Sequence, residues 1–194
     1  MHHIYHTQGF ILSSRNIGEA NKMFTIYTRE LGLVRAVCQG VRLHKSKNRF
    51  SLQDFSYANI DLVRGRDIWR VTTAGLVTSF PFARGKRESL LLIARVSSLI
   101  NRLCDGEEAN PTIFNDFIQA LYLLDDINIT TSSREALELH LVLRTMNSLG
   151  YIGEGELISQ YISSSFNESN VEKILKERQS IISHINKALT ESHL

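Results

Sequence analysis

Two β-strands joined by a tight turn are predicted by residues 23–38, which read MFTIYTRELGLVRAVC. The stretch is rich in β-branched and aromatic residues, and the sequence ELG at 30–32 supplies the turn. In the second strand, alternation places Val34, Ala36 and Cys38 on one face and Arg35 on the other. Arg35 is therefore predicted to project from the surface of a strand rather than from a loop.

Three further strands are predicted around this pair, at residues 9–14, 52–64 and 68–79. The sequence RGRD at 64–67 is typical of the turn in a β-hairpin. Five short strands in about 75 residues favour a small barrel, closed or partly open, such as an OB-fold. An SH3-like barrel or a small sandwich satisfies the same pattern.

The hydrophobic period changes from 2 to about 3.6 after Pro81, which indicates helices. Residues 90–103 form a long apolar helix candidate, Asn110-Pro111 is typical of a helix start, and Ser132 with Glu135 has the spacing of a capping box. The predicted fold class is α+β, with a small five-stranded barrel, such as an OB-fold, in residues 1–80 and an all-helical domain in residues 81–194.

Charge divides the chain in the same way. The 194 residues carry 22 Lys+Arg and 20 Asp+Glu, a net charge of only +2. Residues 1–84 hold 12 basic and 5 acidic residues, net +7, whereas residues 85–194 hold 10 and 15, net −5. We therefore expect the two halves to face different partners.

Several functional classes are disfavoured by what the sequence does not contain. Apolar runs reach only five residues, as at 90–94, against the roughly 20 that cross a bilayer, and no signal-peptide core opens the chain. We expect a cytoplasmic protein without a membrane contact. The two cysteines, Cys38 and Cys104, lie outside any zinc-ligand spacing and are predicted to be buried thiols.

No catalytic constellation emerges from a search for nucleotide loops, nucleophile motifs and metalloprotease motifs. The acid pairs Glu107-Glu108 and Asp125-Asp126 fall at predicted helix ends and are interpreted as solvated charge. The sequence therefore predicts a protein that is not an enzyme, with no catalytic residue, no metal and no cofactor.

The basic half carries the candidate site. Cations on predicted strands and loops that a small barrel can bring to one surface are typical of a groove for a phosphate backbone. Aromatic residues beside them, Trp69 above all but also Tyr27, Phe55 and Tyr57, are candidate stacking platforms for unpaired bases, and each competes with a role in the core. The candidate cations are Arg35, Arg42, Lys45, Lys47, Arg49, Arg64, Arg66 and Arg70.

The N-terminal region closely resembles one known family. GFILSSR at 9–15, GEANK at 18–22, TIYTRELGLVRAV at 25–37, GVR at 40–42, KS at 45–46, LQ at 52–53 and LVRGR at 62–66 before Trp69 match the N-terminal domain of the bacterial recombination mediator family RecO. TRELGLVRAV is the most specific piece. The resemblance covers residues 5–75 and continues more weakly to Leu149-Gly150-Tyr151.

The resemblance implies an OB-fold followed by a helical domain, and it implies binding of single- and double-stranded DNA without covalent catalysis. It implies annealing of complementary strands and, together with RecR, help in loading RecA on DNA coated by single-stranded-DNA-binding protein (SSB), whose acidic C-terminal tail RecO proteins bind. Carried over by position, the DNA contacts are Arg35, Arg42, Lys45, Lys47, Arg49, Arg64 and Arg66.

The sequence departs from the family pattern at one point. Many family members carry a four-cysteine zinc module after the position of Tyr151, whereas this chain has no cysteine beyond Cys104. Residues 152–194 continue instead as helical sequence, so this chain looks like a short RecO without the zinc module.

Two assignments concern protein partners. The first long helix carries cations near apolar residues that could receive an acidic peptide tail; the simpler interpretation is that they are helix-packing arginines that extend to solvent. These residues are Lys86, Arg87, Arg95 and Arg102. The alternative function is a protein-interaction adaptor, whose OB-like barrel recognises an acidic partner and no longer binds DNA.

Overall fold

The computed structural model describes residues 3–104, 106–152, 159, 161, 162, 164 and 168–191. The chain divides into two compact units, Met1–Phe114 and Asn115–Leu194. The first unit is built on a β-barrel, and all regular structure described in the second is helical.

Five strands form the barrel: β1 (Ile4–Ile17), β2 (Asn21–Thr28), β3 (Gly32–Cys38), β4 (Tyr57–Arg64) and β5 (Trp69–Thr78). They close in the order β1-β2-β3-β5-β4, with β4 pairing back to β1. All pairs are antiparallel except β3 with β5, which run parallel. This is the order of the OB-fold, so the predicted five-stranded OB-fold barrel is confirmed.

Strand β1 is longer than the predicted segment 9–14 because it serves two neighbours. Its first half pairs with β4 and its second half with β2, and a register irregularity between Ile11 and Ser13 accompanies the bend. A strand that spans both sides closes the barrel and leaves no open edge at this position.

The barrel core follows the predicted alternation. Val34, Ala36 and Cys38 of β3 are buried and Arg35 is exposed. The buried faces of β2 and β4 add residues such as Phe24, Ile60 and Leu62 to one apolar cluster. Because apolar side chains occupy the inward-facing positions, the polar residues of these strands lie on the outer surface.

Gly32 forms the turn between β2 and β3 and lies against the chain that follows α2. Its φ of 66° is a conformation that favours glycine, and a Cβ at this position would overlap the main chain of Glu108. The next residue, Leu33, donates its N–H to the carbonyl of Gly106 at 3.1 Å. The segment 106–108 therefore crosses the barrel at the β2–β3 turn.

Helices account for the remaining regular structure among the described residues. Three are α1 (Pro81–Gly85), α2 (Arg87–Leu103) and α3 (Pro111–Leu124). Three more are α4 (Thr131–Ser148), α5 (Glu168–Lys176) and α6 (Arg178–Glu191). The change from strands to helices predicted at Pro81 is confirmed. In the part of the chain that the structure describes, no helix is long and apolar enough to cross a membrane.

Two predicted helix starts have different outcomes. Asn110 caps α3, because its Oδ1 accepts the N–H of Ile113 at 3.1 Å. The capping box predicted at Ser132 is wrong: α4 begins at Thr131, and the hydroxyl of Thr130 accepts the N–H of Ser133 at 3.0 Å. Two neighbouring hydroxyl residues offered the same chemistry, and the earlier one supplies the cap.

In the second unit, Arg144 of α4 contacts both α3 and residues that follow α4. Its guanidinium pairs with Asp116 at 2.7 Å and donates to the carbonyls of Ile162 and Ser164. Helices α5 and α6 agree with the helical sequence predicted for 152–194. Within that range, residues 153–158, 160, 163, 165–167 and 192–194 lie outside the described residues.

Candidate nucleic-acid interface

The parallel pairing of β3 with β5 brings two predicted cations together on the outer surface of the barrel. Arg70 is paired with Val37, and Arg35 lies two residues before Val37 on the same face. Strand spacing and rise place the two Cα atoms about 8 Å apart. Both side chains are exposed, and neither forms an ion pair with any described residue. We call this surface the β3–β5 seam.

The connection between β3 and β4, residues 39–56, is the basic loop. It contains Arg42, Lys45, Lys47 and Arg49, all exposed, and no carboxylate occurs between Glu30 and Asp54. Its first part is fixed to the β1–β2 turn, because the Gly40 N–H reaches Asn21 Oδ1 at 2.8 Å and Arg42 donates to the Gly18 carbonyl at 2.9 Å.

Asn48 fixes the second part of the basic loop to β5. Its Nδ2 donates to the carbonyl of Thr72 at 3.3 Å, and its Oδ1 accepts the N–H of Ala74 at 3.1 Å. Asn48 and Arg70 line one shallow cavity of about 340 Å³. The β3–β5 seam and the basic loop therefore meet at this cavity. Arg35 and Arg70 of the seam and Lys47 of the loop lie on one connected surface.

A second cavity, of about 570 Å³, is lined by both the first and the last part of the basic loop and by the start of β2. Arg42, Arg49 and Lys22 line it, with Asp54 as its one carboxylate. Sequence reasoning did not select Lys22 as a contact. Lys22 is in register with Cys38, the last residue of β3, so the basic loop begins beside it. A pocket with three cations and one acid favours an anion.

The hairpin between β4 and β5 is arranged differently from the prediction. Arg64 Nη1 pairs with Glu107 Oε2 at 2.6 Å, and its guanidinium lies 5.2 Å from the centre of the Trp69 ring. The Trp69 indole N–H donates to Glu107 Oε1 at 2.7 Å. Glu107 is thus held by two partners and is not merely solvated charge.

Trp69 is a core residue in this barrel, and its assignment as a base-stacking platform is corrected. The residue is 4% exposed and its ring meets Tyr5 edge-on at 5.0 Å. Tyr27 and Tyr57 are also buried, and Phe55 stacks on Phe10 at 6.3 Å. Trp69 belongs to the apolar cluster inside the barrel. The rings of Tyr27 and Tyr57 lie 5.7 and 6.2 Å from that of Phe114, and Phe55 is half-buried.

A groove of about 770 Å³ runs beside the seam, over the outer surface of β1, β2 and β3. Its cations are Arg15, Arg35 and Arg102, and its acids are Asp67 and Glu107. Arg15 was not predicted as a contact, since it is sequence-distant from the basic loop. Arg102, predicted to receive a protein partner, also lines this groove with Arg35.

The other predicted cations lie in the basic loop, in the β4–β5 hairpin, and on or beside α2. Lys45, Lys47 and Arg66 are exposed and form no ion pair among the described residues. On α2, Arg87, Arg95 and Arg102 are exposed, and the spacing 87, 91, 95, 102 puts them on one stripe with Leu91, which is 45% exposed. Lys86 is half-buried at the N-cap of α2.

Cys38 and Cys104 are both buried and unpaired, as predicted. Among the described residues, no group of three or more His, Cys, Asp or Glu side chains is arranged to hold a metal ion. The exposed cations of the seam and the basic loop offer guanidinium and ammonium groups that bind anions.

Comparison with known proteins gives this barrel a family. Residues 1–80 match the family model described as "Recombination protein O N terminal". The proteins named DNA repair protein RecO include a relative from Pelotomaculum thermopropionicum, 31% identical over 121 residues, 62% of this chain and 47% of that protein. One from Alkaliphilus metalliredigens is 26% identical over 180 residues, 92% of this chain and 70% of that protein.

A third relative with the same name, from Desulfitobacterium hafniense strain DCB-2, is 26% identical over 148 residues, 76% of this chain and 52% of that protein. The chain spans about half the length of several of the relatives it matches. Fold and matches together define a protein with an N-terminal OB-fold barrel like that of these relatives. Its barrel matches the N-terminal model of the RecO family, and the chain is similar to proteins named DNA repair protein RecO.

Proposed function

We propose that this chain is a DNA-binding recombination mediator that acts in the cytoplasm and has no catalytic site. In this proposal residues 1–80 bind single- and double-stranded DNA, and residues 81–194 serve protein partners. The chain anneals complementary strands and, with RecR, helps to load RecA on SSB-coated DNA. The observation that carries the proposal is the connected surface of exposed cations on the β3–β5 seam and the basic loop, in a RecO-type barrel.

The proposed binding is electrostatic. Cations that contact phosphates release condensed counterions, so the logarithm of the binding constant falls with the logarithm of the salt concentration by about 0.7 per contact on single strands and about 0.9 on duplex. A cationic surface also reduces the repulsion between two strands held on it. Such a surface accelerates annealing without an active site.

The stripe on α2 supports a contact with a protein. Arg87 and Arg95 flank the exposed Leu91, so an acidic peptide with an apolar residue would find both charge and apolar area there. We propose this stripe, with Lys86 and Arg102 at its ends, as the place where the SSB tail docks.

The experiment that tests DNA binding removes three cations of the basic loop. In the triple variant Lys45→Ala, Lys47→Ala and Arg49→Ala, we expect weaker binding to all DNA sequences alike. The salt slope on single strands should fall by about 2 if all three contact phosphate. Fluorescence anisotropy of a labelled oligonucleotide, at a series of salt concentrations, measures both quantities.

A matched control removes two lysines and one arginine from the helical unit. Lys173, Lys176 and Arg178 are also exposed, so their triple alanine variant changes net charge equally but leaves the barrel intact. Equal losses in both variants would show a general charge effect and refute the site. If the wild-type chain binds no DNA at low salt, the adaptor function replaces the mediator function.

Annealing is tested with complementary oligonucleotides, bare and coated with SSB. We expect both to anneal, and we expect Arg87→Glu with Arg95→Glu to impair only the coated pair. If the stripe variant anneals coated strands as fast as the wild type, the tail does not dock there.

A further inference from the structure

Phe50 stands out on the surface of the barrel unit. It is 70% exposed, the most exposed of the large hydrophobic side chains among the described residues. It lies at the end of the short 3-10 helix Lys47–Arg49, directly after Arg49. A ring in this position contributes nothing to the apolar core, which is complete without it.

The main chain on both sides of Phe50 is fixed. Before it, Asn48 is bonded to Thr72 and Ala74 of β5, and the N–H of Leu52 donates to the carbonyl of Asn48 at 3.0 Å. After it, Ser51 and Leu52 are buried. Because both flanks are held, the ring is presented to solvent by an ordered turn, and little conformational entropy is lost when a ligand covers it.

The surroundings of Phe50 define the chemistry of that ligand. The ring follows a segment with four cations and no carboxylate, and Arg49 also lines the cavity shared with Lys22 and Arg42. An exposed flat ring that directly follows Arg49, a residue of the anion pocket, matches a ligand that carries a flat aromatic face close to a phosphate. An unpaired nucleotide has both groups.

We propose that Phe50 is a base-stacking residue that binds an unpaired base while Arg49 and its neighbours hold the adjacent phosphate. This inference rests on the proposed function, and it adds that the basic loop distinguishes single strands from duplex. In a duplex the faces of the bases are already stacked on one another, so only the phosphate contacts remain available.

The first test compares Phe50→Ala on three DNA probes: a single strand, the same single strand with abasic sites throughout, and a blunt duplex. Stacking on one base is typically worth a fivefold to hundredfold change in affinity, and we expect about fivefold or more on the normal single strand. We expect no change beyond about twofold on the abasic strand or the duplex. Phe50→Leu should behave as Phe50→Ala, because it restores apolar area but no aromatic face.

Phe82 provides the matched control. It is another phenylalanine, 50% exposed, on α1 outside the barrel, so Phe82→Ala should leave affinity for all three probes unchanged. An equal loss on all three probes in Phe50→Ala would overturn the inference, because it would make the ring a support for the phosphate contacts. Thermal melting confirms that each variant is folded.

The second test is spectroscopic. Trp69 is the only tryptophan and is buried, so Phe50→Trp adds one exposed indole whose fluorescence a stacked base quenches. We expect quenching by the normal single strand, little by the abasic strand, and none in Phe82→Trp. DNA that binds by anisotropy without quenching would overturn the stacking role alone, whereas absence of binding would overturn the proposed function. Quenching by an acidic peptide rather than DNA would assign the ring to a protein partner.

Discussion

Neutralising Glu107 should strengthen DNA binding while it weakens the fold. The carboxylate accepts from Arg64 at 2.6 Å and from the Trp69 indole at 2.7 Å, and it lies in the groove that contains Arg35. Glu107→Gln keeps an oxygen for the indole N–H but removes the charge. It therefore separates the electrostatic effect of Glu107 from its role as a hydrogen-bond acceptor.

The structure sets the size of both effects. The Arg64 and Glu107 side chains are 61% and 39% exposed, so their ion pair stabilises the fold by at most about 1 kcal/mol. Converting the charged acceptor of the buried indole to a neutral one costs about 1 kcal/mol more. We expect the free energy of unfolding to fall by about 1–2 kcal/mol. If Arg64 then contacts one phosphate, the salt slope on single strands should steepen by about 0.7.

Urea unfolding followed by Trp69 fluorescence measures the first effect, and anisotropy titrations at several salt concentrations measure the second. Glu108→Gln is the control, because Glu108 is an exposed neighbour with the same charge. If Glu107→Gln and Glu108→Gln bind single-stranded DNA with the same affinity and slope, Arg64 does not lie on the DNA surface, and the role assigned to Glu107 is refuted.

Three further predictions concern stability. Gly32→Ala should lower the free energy of unfolding by at least about 2 kcal/mol, measured in urea, because of its positive φ and the overlap with Glu108; a neutral result would contradict this account. Arg144→Ala should cost about 2–3 kcal/mol by leaving Asp116 partly buried without its partner, and Asp116→Asn should cost less. Burial lowers the pKa of His140, so the unfolded chain binds the proton more readily. Stability of the helical unit should therefore be full above about pH 7 and fall as the pH drops below that; urea midpoints that do not change with pH would contradict this.

Local sequence pattern was sufficient to predict the strands, and the family resemblance selected the OB-fold among the small barrels and sandwiches that fit them. Strand alternation placed Val34, Ala36 and Cys38 inside and Arg35 outside, and turn residues separated the strands, because both signals act between neighbours in the chain. The cations of the basic loop were also predictable, since an acid-free run is visible in the sequence.

The contacts that sequence reasoning missed all depend on closure of the fold. Glu107 reaches Arg64 and Trp69 across 38 or more residues, and no local pattern encodes that distance. Trp69 was assigned to the surface because its neighbours are charged, whereas the parallel pairing with β3 turns it inward. Phe50 had a signal, its place at the end of the basic run, but exposure of an aromatic residue cannot be read from alternation in a loop.

The position of Cys38 makes its reactivity a measure of how often the basic loop opens. Its thiol lies under the basic loop, 3.6 Å from Asn48 Nδ2, and burial raises its pKa, so a thiol reagent reacts with it only when the loop lifts from β5. The rate of alkylation at Cys38, resolved from Cys104 by peptide mass, therefore counts the openings of the loop. A single strand bound across the loop should lower the alkylation rate of Cys38. That rate would then report DNA binding without a label on either molecule.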